Sequence, residues 1–470
     1  MGATLWNPIV NPAIQTTRRH FSTAFLVCVI IAGWWSPGKS PAADATAWDA
    51  VPAIMARIKA PEFPNRDFPI TNYGAKPDTT NDCTDAIRQA IAACHAAGGG
   101  RVVVAGGTFF TGAVHLESGV NLCVVQGAKL KFDTDTTAFL PVVFTRFEGT
   151  ECMNYSPLIY AFEQSNVAVT GGGTLDGSAA ADNWWRLARG GPSSSSALIA
   201  QAARGVPVAE RVYGAGQSLR PNFVQFYHCR NVLVADVHII NSPMWEIHPV
   251  LSTNVTVRGV NIASHGPNND GCDPESCRDV LIENCVFDTG DDCIAIKAGK
   301  DADGRRVATP SENIIIRGCT MKDGHGGVVV GSEVSGGVRN VFAEQCTMDS
   351  PNLDRALRLK SNAERGGFIE NVFMRNVTIG RVANSVLTID LVYNRVETGP
   401  YPPIVRNVVM DNVNVTTSCP RVLNIVGTTN SIIEGVRLRN CIFRGVQGPD
   451  ILTHAPDIIR QNVTSEPAAR

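Results

Sequence analysis

The 470-residue chain lacks an excess of charge of either sign, because 41 basic and 43 acidic side chains leave a net charge of −2. Without a basic surface there is no electrostatic attraction to phosphate backbones, so nucleic acid is not an expected partner. Helical periodicity is scarce after Gly98. The hydrophobic fraction of 44% excludes general disorder, and 43 glycines and 27 prolines predict many turns.

An apolar run long enough to span a bilayer comfortably is missing from the N-terminus. The run from Ala24 to Trp35 is short, follows Arg18 and Arg19, and precedes small residues at 43–45. This pattern predicts an export signal over residues 1–45, of the general secretory or the twin-arginine type. We therefore expect a secreted or periplasmic protein without stable membrane insertion.

A single segment of the exported chain has the apolar periodicity of a confident helix. Its buried face is predicted to consist of Ala86, Ile87, Ala90, Ile91 and Cys94, and three glycines from Gly98 end it. Short strands follow at once, so this short helix is predicted to cap the end of a stack of strands. Residues 46–66 before it are predicted to be a linker or N-terminal segment.

A pattern of two short alternating strands recurs eight times, starting at residues 230, 253, 278, 312, 339, 370, 406 and 434. Alternation of apolar and polar residues predicts half-buried strands. Units of this length cannot close a core alone and must stack on one another. The sequence therefore predicts an all-β parallel β-helix over residues 67–450, with coils about 4.8 Å apart, and a C-terminal tail over 451–470.

The 14 cysteines follow the repeats rather than a disulfide framework. The eighth position of each repeat is either Cys or Val, with the cysteines at Cys285, Cys319, Cys346 and Cys441. Because a free thiol packs as a small hydrophobe, we expect these four to be reduced core residues. Cys272 and Cys277, five residues apart in a loop, are the expected disulfide.

Four aspartates crowd the stretch from Pro267 to Lys297, at Asp270, Asp273, Asp291 and Asp292. Crowded carboxylates raise the pKa of one group and leave a neighbour ionised, so that one can donate a proton and another accept it. Turn propensity favours Asx turns for Asp273 and Asp288. The adjacent pair Asp291-Asp292 does not fit a turn.

Repeat arithmetic places further polar residues beside these acids. Asp291 and His325 each lie 13 positions after the start of their repeats, which predicts neighbouring rungs roughly 5 Å apart. Arg358 and Lys360 lie two apart on a strand of the next repeat and share a face. Acids below and cations above suit an anionic polymer, whose carboxylates the cations would bind.

Each of these residues also has a structural interpretation. His325 between two glycines fits a turn, and Arg358 and Lys360 fit a solvated face. The acids could bind metal, but the spacing of a zinc site is absent and Lys360 opposes calcium, so no metal or other cofactor is expected. A non-catalytic, polysaccharide-binding β-helix is the alternative to an enzyme.

Four ordered motifs, between Phe68 and Val446, resemble those of glycoside hydrolase family 28, the polygalacturonases: N-x-D at 268–270, G-D-D at 290–292, G-H-G at 324–326 and R-x-K at 358–360. The resemblance implies a right-handed, single-stranded parallel β-helix that hydrolyses α-1,4 bonds between galacturonates of pectin, with inversion and without metal. The second residue of the first motif is Asn269, where the family usually has Thr.

The resemblance also implies roles. Asp291 would be the general acid, Asp270 and Asp292 the pair that activates water, and His325 the residue that tunes the acid. Substrate-binding residues would be Asn268, Arg358, Lys360 and a tyrosine, either Tyr393 or Tyr401. The implied partner is an anionic plant cell-wall polysaccharide, and we expect a monomer.

Surplus sequence before the catalytic coils, at 144–154 and 178–221, predicts loops that close one end of the groove. Trp184, Trp185 and Tyr213 would supply a wall on which a sugar ring stacks. We therefore expect exo cleavage. Within enzymes, the alternatives are a pectate lyase or a related hydrolase acting on rhamnogalacturonan or xylogalacturonan.

Overall fold

A computed structural model describes residues 47–188, 194–455 and 458–468. The chain separates into residues 1–45 and a unit covering 46–470, and only the second is described. The predicted export signal therefore lies outside the described residues. Within those residues, none of the helices has both the length and the apolar character needed to cross a membrane.

Short strands, nearly all of them parallel, form most of the regular secondary structure, as the alternating repeats predict. The strands before residue 180 are β1 (Asp67–Pro69), β2 (Gly100–Val104), β3 (Thr108–Thr111), β4 (Val114–His115), β5 (Val120–Val124), β6 (Lys129–Phe132), β7 (Val143–Phe147), β8 (Thr150–Asn154), β9 (Ile159–Phe162), β10 (Ser165–Thr170) and β11 (Thr174–Asp176). The central strands are β12 (Val224–Tyr227), β13 (Arg230–Ala235), β14 (His238–Ile240), β15 (Ile247–Val250), β16 (Thr253–Arg258), β17 (Asn261–Ser264), β18 (Arg278–Glu283), β19 (Val286–Thr289), β20 (Ile294–Ile296), β21 (Ser311–Arg317), β22 (Thr320–Met321) and β23 (Val328–Val330).

The remaining strands are β24 (Val338–Glu344), β25 (Thr347–Met348), β26 (Arg355–Lys360), β27 (Phe368–Arg381), β28 (Ser385–Asp390), β29 (Ile404–Ser418), β30 (Arg421–Val426), β31 (Ile432–Arg439), β32 (Ile442–Val446), β33 (Ile451–Thr453), β34 (Ile459–Gln461) and β35 (Thr464–Pro467). The α-helices are α1 (Ala50–Arg57), α2 (Thr84–Ala96), α3 (Ser194–Ala203) and α4 (Asp301–Val307). Successive coils stack in a right-handed parallel β-helix, which confirms the predicted fold.

The eight repeats stack in the register that their starts predict. Their first residues pair in order along the ladder: Arg230, Thr253, Arg278, Glu312, Arg339, Glu370, Arg406 and Glu434. The second position is left-handed at most copies, with φ of 59° at Asn254 and 59° at Asn340. Asparagine tolerates this conformation better than most residues, which explains why it recurs there.

The core lies inside the coils, and the cysteine column belongs to it. Cys285, Cys319, Cys346 and Cys441 are all buried, and every cysteine of the described chain is a free thiol. The expected disulfide is therefore wrong. Cys272 pairs with Ile247 and Ile294 in the ladder of the neighbouring coils. Its side chain packs in the core and forms no bond with Cys277.

Both ends of the β-helix carry more structure than the sequence pattern indicates. The five predicted face residues of α2 are buried, and this helix caps the first coils. In the predicted linker, α1 buries Ile54 against Ile315 and Phe342, and Arg57 pairs with Asp279. Beyond residue 450, β33, β34 and β35 pair with β30, β31 and β32 and so continue the coils.

The surplus segments fold onto one side of the N-terminal coils. Strands β7 and β8 form the antiparallel hairpin 143–154, here called the roof hairpin. Helix α3 covers it, with Leu198 packed against Cys152. Trp184 is 1% exposed and packs against Phe139, so it belongs to the core and cannot stack on a sugar. Tyr213 is also buried, so the predicted stacking wall is wrong for both side chains.

Candidate active site

The predicted acids and cations meet on one face of the sheet that contains β20, β23 and β26, at four consecutive coils. Asp270 lies in the loop after β17, Asp291 and Asp292 lie in the turn before β20, and His325 lies in the turn before β23. Arg358 and Lys360 extend from β26, which pairs with β23. The turn before β20 approaches its neighbour so closely that a Cβ on Gly290 would lie 2.5 Å from the Gly266 carbonyl oxygen.

Direct contacts pair the acids with the cations. The nearest oxygen atoms of Asp270, Asp291 and Asp292 all lie within 4.8 Å of one another. His325 Nδ1 lies 2.9 Å from Asp291 Oδ1. Lys360 Nζ donates to Asp292 Oδ2 at 2.7 Å, and Arg358 Nη1 lies 3.5 Å from Asp292 Oδ1. The structure therefore brings together all six charged residues of the four motifs.

Asn269, the residue at which the N-x-D motif departs from the family pattern, holds the loop around it in place. Asn269 is fully buried and accepts hydrogen bonds from Ser264 Oγ and Gly266 N, each at 2.7 Å. Its amide donates to the Ser242 carbonyl at 3.0 Å. Asn268 Oδ1 accepts from Arg220 Nη2 at 2.6 Å. These bonds fix the backbone that leads into Asp270, so Asn269 supports the loop that carries this acid.

Only one of the two candidate tyrosines lies at the pocket. The Tyr393 ring centroid is 5.3 Å from Lys360 Nζ, and Tyr393 lines the same pocket as Asp270. Tyr401 is 42% exposed, and the Arg305 guanidinium stacks on its ring at 3.6 Å. The structure therefore favours Tyr393.

Sequence reasoning missed a buried lysine behind the acids. Lys297 Nζ lies 3.4 Å from Asp270 Oδ2, 3.7 Å from Asp273 Oδ1 and 3.3 Å from Glu333 Oε2. Asp273 is fully buried, and its side-chain oxygens have no hydrogen-bond partner within the described chain. The expected Asx turn at Asp273 is therefore wrong. The one signal was a lysine that ends the apolar run CIAIK.

The acids Asp270 and Asp291 hold their protons very differently. Burial, followed by the charge of Asp291, raises the pKa of the Asp270 carboxyl well above its ordinary value. Burial also acts to raise the pKa of Asp291, but the His325 hydrogen bond and the charge of Lys360 outweigh it and lower that pKa to about 2. The Asp291 hydrogen bond raises the pKa of His325. Of these two acids, Asp270 therefore keeps its proton to the higher pH.

The sheet face before the catalytic coils is covered by the roof hairpin. Four outward side chains of β9, β12 and β15, which an open groove would expose, are at most 6% exposed: Tyr160, Gln225, Tyr227 and His248. Thr145 Oγ donates to Gln225 Oε1 at 2.6 Å, and Arg146 Nη1 lies 3.1 Å from Glu275 Oε1. The groove is therefore closed on the N-terminal side of Asp270.

The tip of the roof hairpin forms part of the pocket wall. Lys300 Nζ donates to Glu148 Oε2 at 3.0 Å, and Lys300 N donates to the Gly149 carbonyl at 3.0 Å. Farther along the wall, Arg365 Nη1 contacts Glu333 Oε1 at 3.0 Å. The pocket is lined by Glu148, Trp245, Asn268, Asp270, Asp291, Lys297, Lys300, Ser332, Glu333, Lys360, Arg365, Tyr393 and Asn394.

Among the residues that the structure describes, two groups of side chains have the spacing of metal ligands. In the catalytic pocket, Lys297 and Lys360 already place ammonium groups against Asp270 and Asp292, so these acids are compensated by the protein's own cations. The second group is His265, Asp288 and Asp323, at a neighbouring corner of the coils. His265 Nε2 lies 2.9 Å from Asp288 Oδ1 there.

Comparison with known proteins points to one family. A sequence profile described as "Glycosyl hydrolases family 28" matches residues 211–456. "Probable polygalacturonase" from Vitis vinifera is 28% identical over 60% of this chain and 54% of its own length. "Exo-poly-alpha-D-galacturonosidase" from Dickeya chrysanthemi is 30% identical over 69% of this chain and 57% of its own length. The chain thus spans little more than half the length of these two relatives.

A solved structure matches over a larger share of both chains. The hyperthermoactive exopolygalacturonase from Thermotoga maritima is 44% identical and superposes with a TM-score of 0.86. The match covers 89% of this chain and 96% of that one.

Proposed function

Because the chain belongs to glycosyl hydrolase family 28, we propose that it is a polygalacturonase that hydrolyses α-1,4-galacturonosyl bonds of pectin. One observation carries the proposal. Asp270, Asp291 and Asp292 share a pocket in which His325 contacts one acid and Lys360 another. Acids alone suit proton transfer, and the added cations suit a substrate that bears carboxylates.

Substrate binding is the task of the cations at the C-terminal side of the acids. Arg358 presents a planar guanidinium that binds a galacturonate carboxylate with two hydrogen bonds, and Lys360 adds a point charge. Tyr393 lies against both, with its ring centroid 5.8 Å from the Arg358 guanidinium carbon. A carboxylate bound there brings its negative charge next to Asp291 and draws Lys360 away from the acids.

This change in local charge supplies a route for loading the general acid. In the unliganded protein the pKa of Asp291 is lowered, because its hydrogen bond with His325 and the charge of Lys360 outweigh burial. A substrate carboxylate at Lys360 raises the pKa of Asp291, because a like charge disfavours ionisation. Binding would then let Asp291 take up the proton that it gives to the leaving oxygen.

Hydrolysis follows from these protonation states. A water molecule held by Asp270 and Asp292 attacks the anomeric carbon as one of these carboxylates takes its proton. The bond between the anomeric carbon and the leaving O4 breaks, and Asp291 gives its proton to that oxygen. His325 holds Asp291 in place for the transfer. One water is consumed, and each fragment ends in a hydroxyl group.

The stereochemical outcome has a direct test. The family resemblance implies inversion, whereas the acids here have oxygens within 4.8 Å of one another, closer than the roughly 6.5–9.5 Å carboxyl separation usual for inverting glycosidases. We propose inversion, since water bound between Asp270 and Asp292 needs no carboxylate nucleophile. Proton NMR during the first turnovers would show the β-anomer from an α-linkage if this is right, and the α-anomer if the configuration is retained.

We propose exo cleavage because the roof hairpin buries the groove before Asp270. A polymer that cannot extend past the hairpin presents only its end to the acids. The relative from Dickeya chrysanthemi and the structure from Thermotoga maritima, both described as exo-acting, support this proposal. Product analysis tests it: a short product alone from the first minutes is expected. An early ladder of mixed oligomers with a fast fall in viscosity would contradict it.

Export and assembly are further proposals. Residues 1–45 are proposed to direct the protein to the periplasm or outside the cell, where pectin fragments are available, and the mature chain is proposed to be a monomer. Fractionation of producing cells and light scattering of the purified protein test these two statements. Activity on rhamnogalacturonan or xylogalacturonan exceeding that on polygalacturonate would replace the proposed substrate by one of those polymers.

A further inference from the structure

Lys297 occupies an unusual place beside the catalytic acids. It follows β20 on the outward face, and the residues at the equivalent position on the next two rungs are Gly331 and Lys360. Its side chain is only 3% exposed, and its ammonium group lies 4.6 Å from the Trp245 ring centroid. A buried lysine is costly unless anions compensate it, so its partners indicate what it serves.

Three carboxylates surround this ammonium group, two from the preceding coil and one from the following coil. Asp270 Oδ2 lies at 3.4 Å, Asp273 Oδ1 at 3.7 Å and Glu333 Oε2 at 3.3 Å. Glu333 has a second cation, because Arg365 contacts its other oxygen. Asp270 and Asp273 have no other ion pair among the described residues, and Asp270 Oδ1 has no hydrogen-bond partner there. Lys297 is therefore the direct cationic contact of Asp270.

We propose that Lys297 is a positioning residue that favours the ionised form of the Asp270 carboxylate and orients it to accept a proton from the attacking water. The proposal rests on the polygalacturonase function proposed above and adds a residue to its machinery. Asp273 also contacts Lys297, and its negative charge opposes the ionisation of Asp270. The balance between these two acids around Lys297 decides how readily Asp270 acts as a base.

The surrounding charges show why one cation matters. Burial and Asp291 raise the pKa of Asp270, and Lys297 is the larger of the two lysine influences that lower it. Other charged or titratable groups that face Asp270 or Lys297 are Arg146, Arg220, Glu246, His248, Glu275, Asp292, Lys300, Glu333 and Lys360. Each of these stays in place when only Lys297 or Asp273 is changed.

Two variants with opposite charge effects test the proposal. Lys297→Met keeps the apolar stem and removes the cation, and Asp273→Asn removes the competing acid while keeping its shape. The pH dependence of kcat/KM on trigalacturonate is measured for both and for the wild type. The acidic limb of this profile reports the pKa of the essential base in the free enzyme.

We expect Lys297→Met to move the acidic limb to a pH about 1–3 higher, the size of effect that an opposite charge at this distance exerts. Asp273→Asn moves the limb to lower pH. Lys297→Arg, which restores a cation, returns the limb toward the wild-type position. At the wild-type optimum, kcat of Lys297→Met falls by about tenfold for each pH unit that the limb moves, with KM little changed because the substrate contacts at Arg358 remain.

The proposal is overturned if the acidic limb of Lys297→Met stays where the wild type has it, or if both variants move it in the same direction. A purely structural role would reduce activity equally at every pH. Where circular dichroism shows that Lys297→Met does not fold, Asp273→Asn decides alone, and an unmoved limb contradicts the proposal. If the wild type itself does not cleave oligogalacturonates, the proposed function fails instead, so the two failures are distinct.

Discussion

Replacing Asp291 by Asn tests which acid protonates the leaving group. An amide cannot deliver a proton, and general acid catalysis contributes about 10²–10⁴-fold, or roughly 2.7–5.4 kcal/mol of the barrier. On polygalacturonate we therefore expect Asp291→Asn to lose that much in kcat. A nitrophenyl α-galacturonide has a leaving group that departs without a proton, so on this substrate the loss should be small.

Asp270→Asn gives the matching contrast. Without a base to activate water, this variant should lose activity on both substrates alike. Asp349→Asn, on an exposed aspartate that lies near Arg381 away from the pocket, serves as the control for a single carboxylate-to-amide change. The reasoning is refuted if Asp270→Asn, rather than Asp291→Asn, recovers on the nitrophenyl substrate. Asp270, whose pKa is raised by burial, would then be the acid.

Three further changes have defined outcomes. Asp291→Asn should lower the thermal unfolding midpoint above pH 4. The pKa of Asp291 is lowered in the folded protein, so its ionised form stabilises the fold. The difference from wild type should vanish as the pH falls from about 4 toward 2. Repulsion among crowded acids alone would instead predict that stability holds or rises, so equal midpoints at pH 7 would contradict this expectation. Arg358→Ala should reduce kcat/KM on galacturonides roughly 10- to 150-fold, which corresponds to a loss of about 1.5–3 kcal/mol of binding energy. On the matching neutral galactosides kcat/KM should not change. An equal loss on both substrates would place the carboxylate contact elsewhere. Trp184→Ala should lower the free energy of unfolding in urea by about 3–5 kcal/mol, because a buried aromatic ring is lost. The product pattern should not change. A change to longer products would show that Trp184 does contact the substrate.

Much of the fold was predictable because it depends on local pattern. A period of two, with Asn at the left-handed second position, specifies both the strands and the register between coils. That register in turn places Asp291 beside His325, since both are counted from the same point of their repeats. Residues that depend on repeat position are therefore accessible to sequence reasoning.

Several errors concern residues whose surroundings depend on contacts that the repeat pattern does not encode. Asp273 would lie on an outward face of an open β-helix, where an Asx turn is reasonable, but it is fully buried and faces Lys297. Trp184 was predicted to stack on a sugar and instead packs beside Phe139. Lys297 was missed because its three acidic partners come from the two neighbouring coils, and only the folded chain brings them together.

Incubation of the purified protein with polygalacturonate in EDTA tests the central claim most directly, because it separates a hydrolase from a lyase and from a binding protein. Reducing ends and the ultraviolet absorbance of unsaturated uronates are followed together. We predict that reducing ends accumulate in EDTA without unsaturated products, and that Asp291→Asn loses this activity while it stays folded. Unsaturated products that require calcium would show a lyase, and binding without new reducing ends would show a non-catalytic β-helix; either result would contradict the proposed hydrolase.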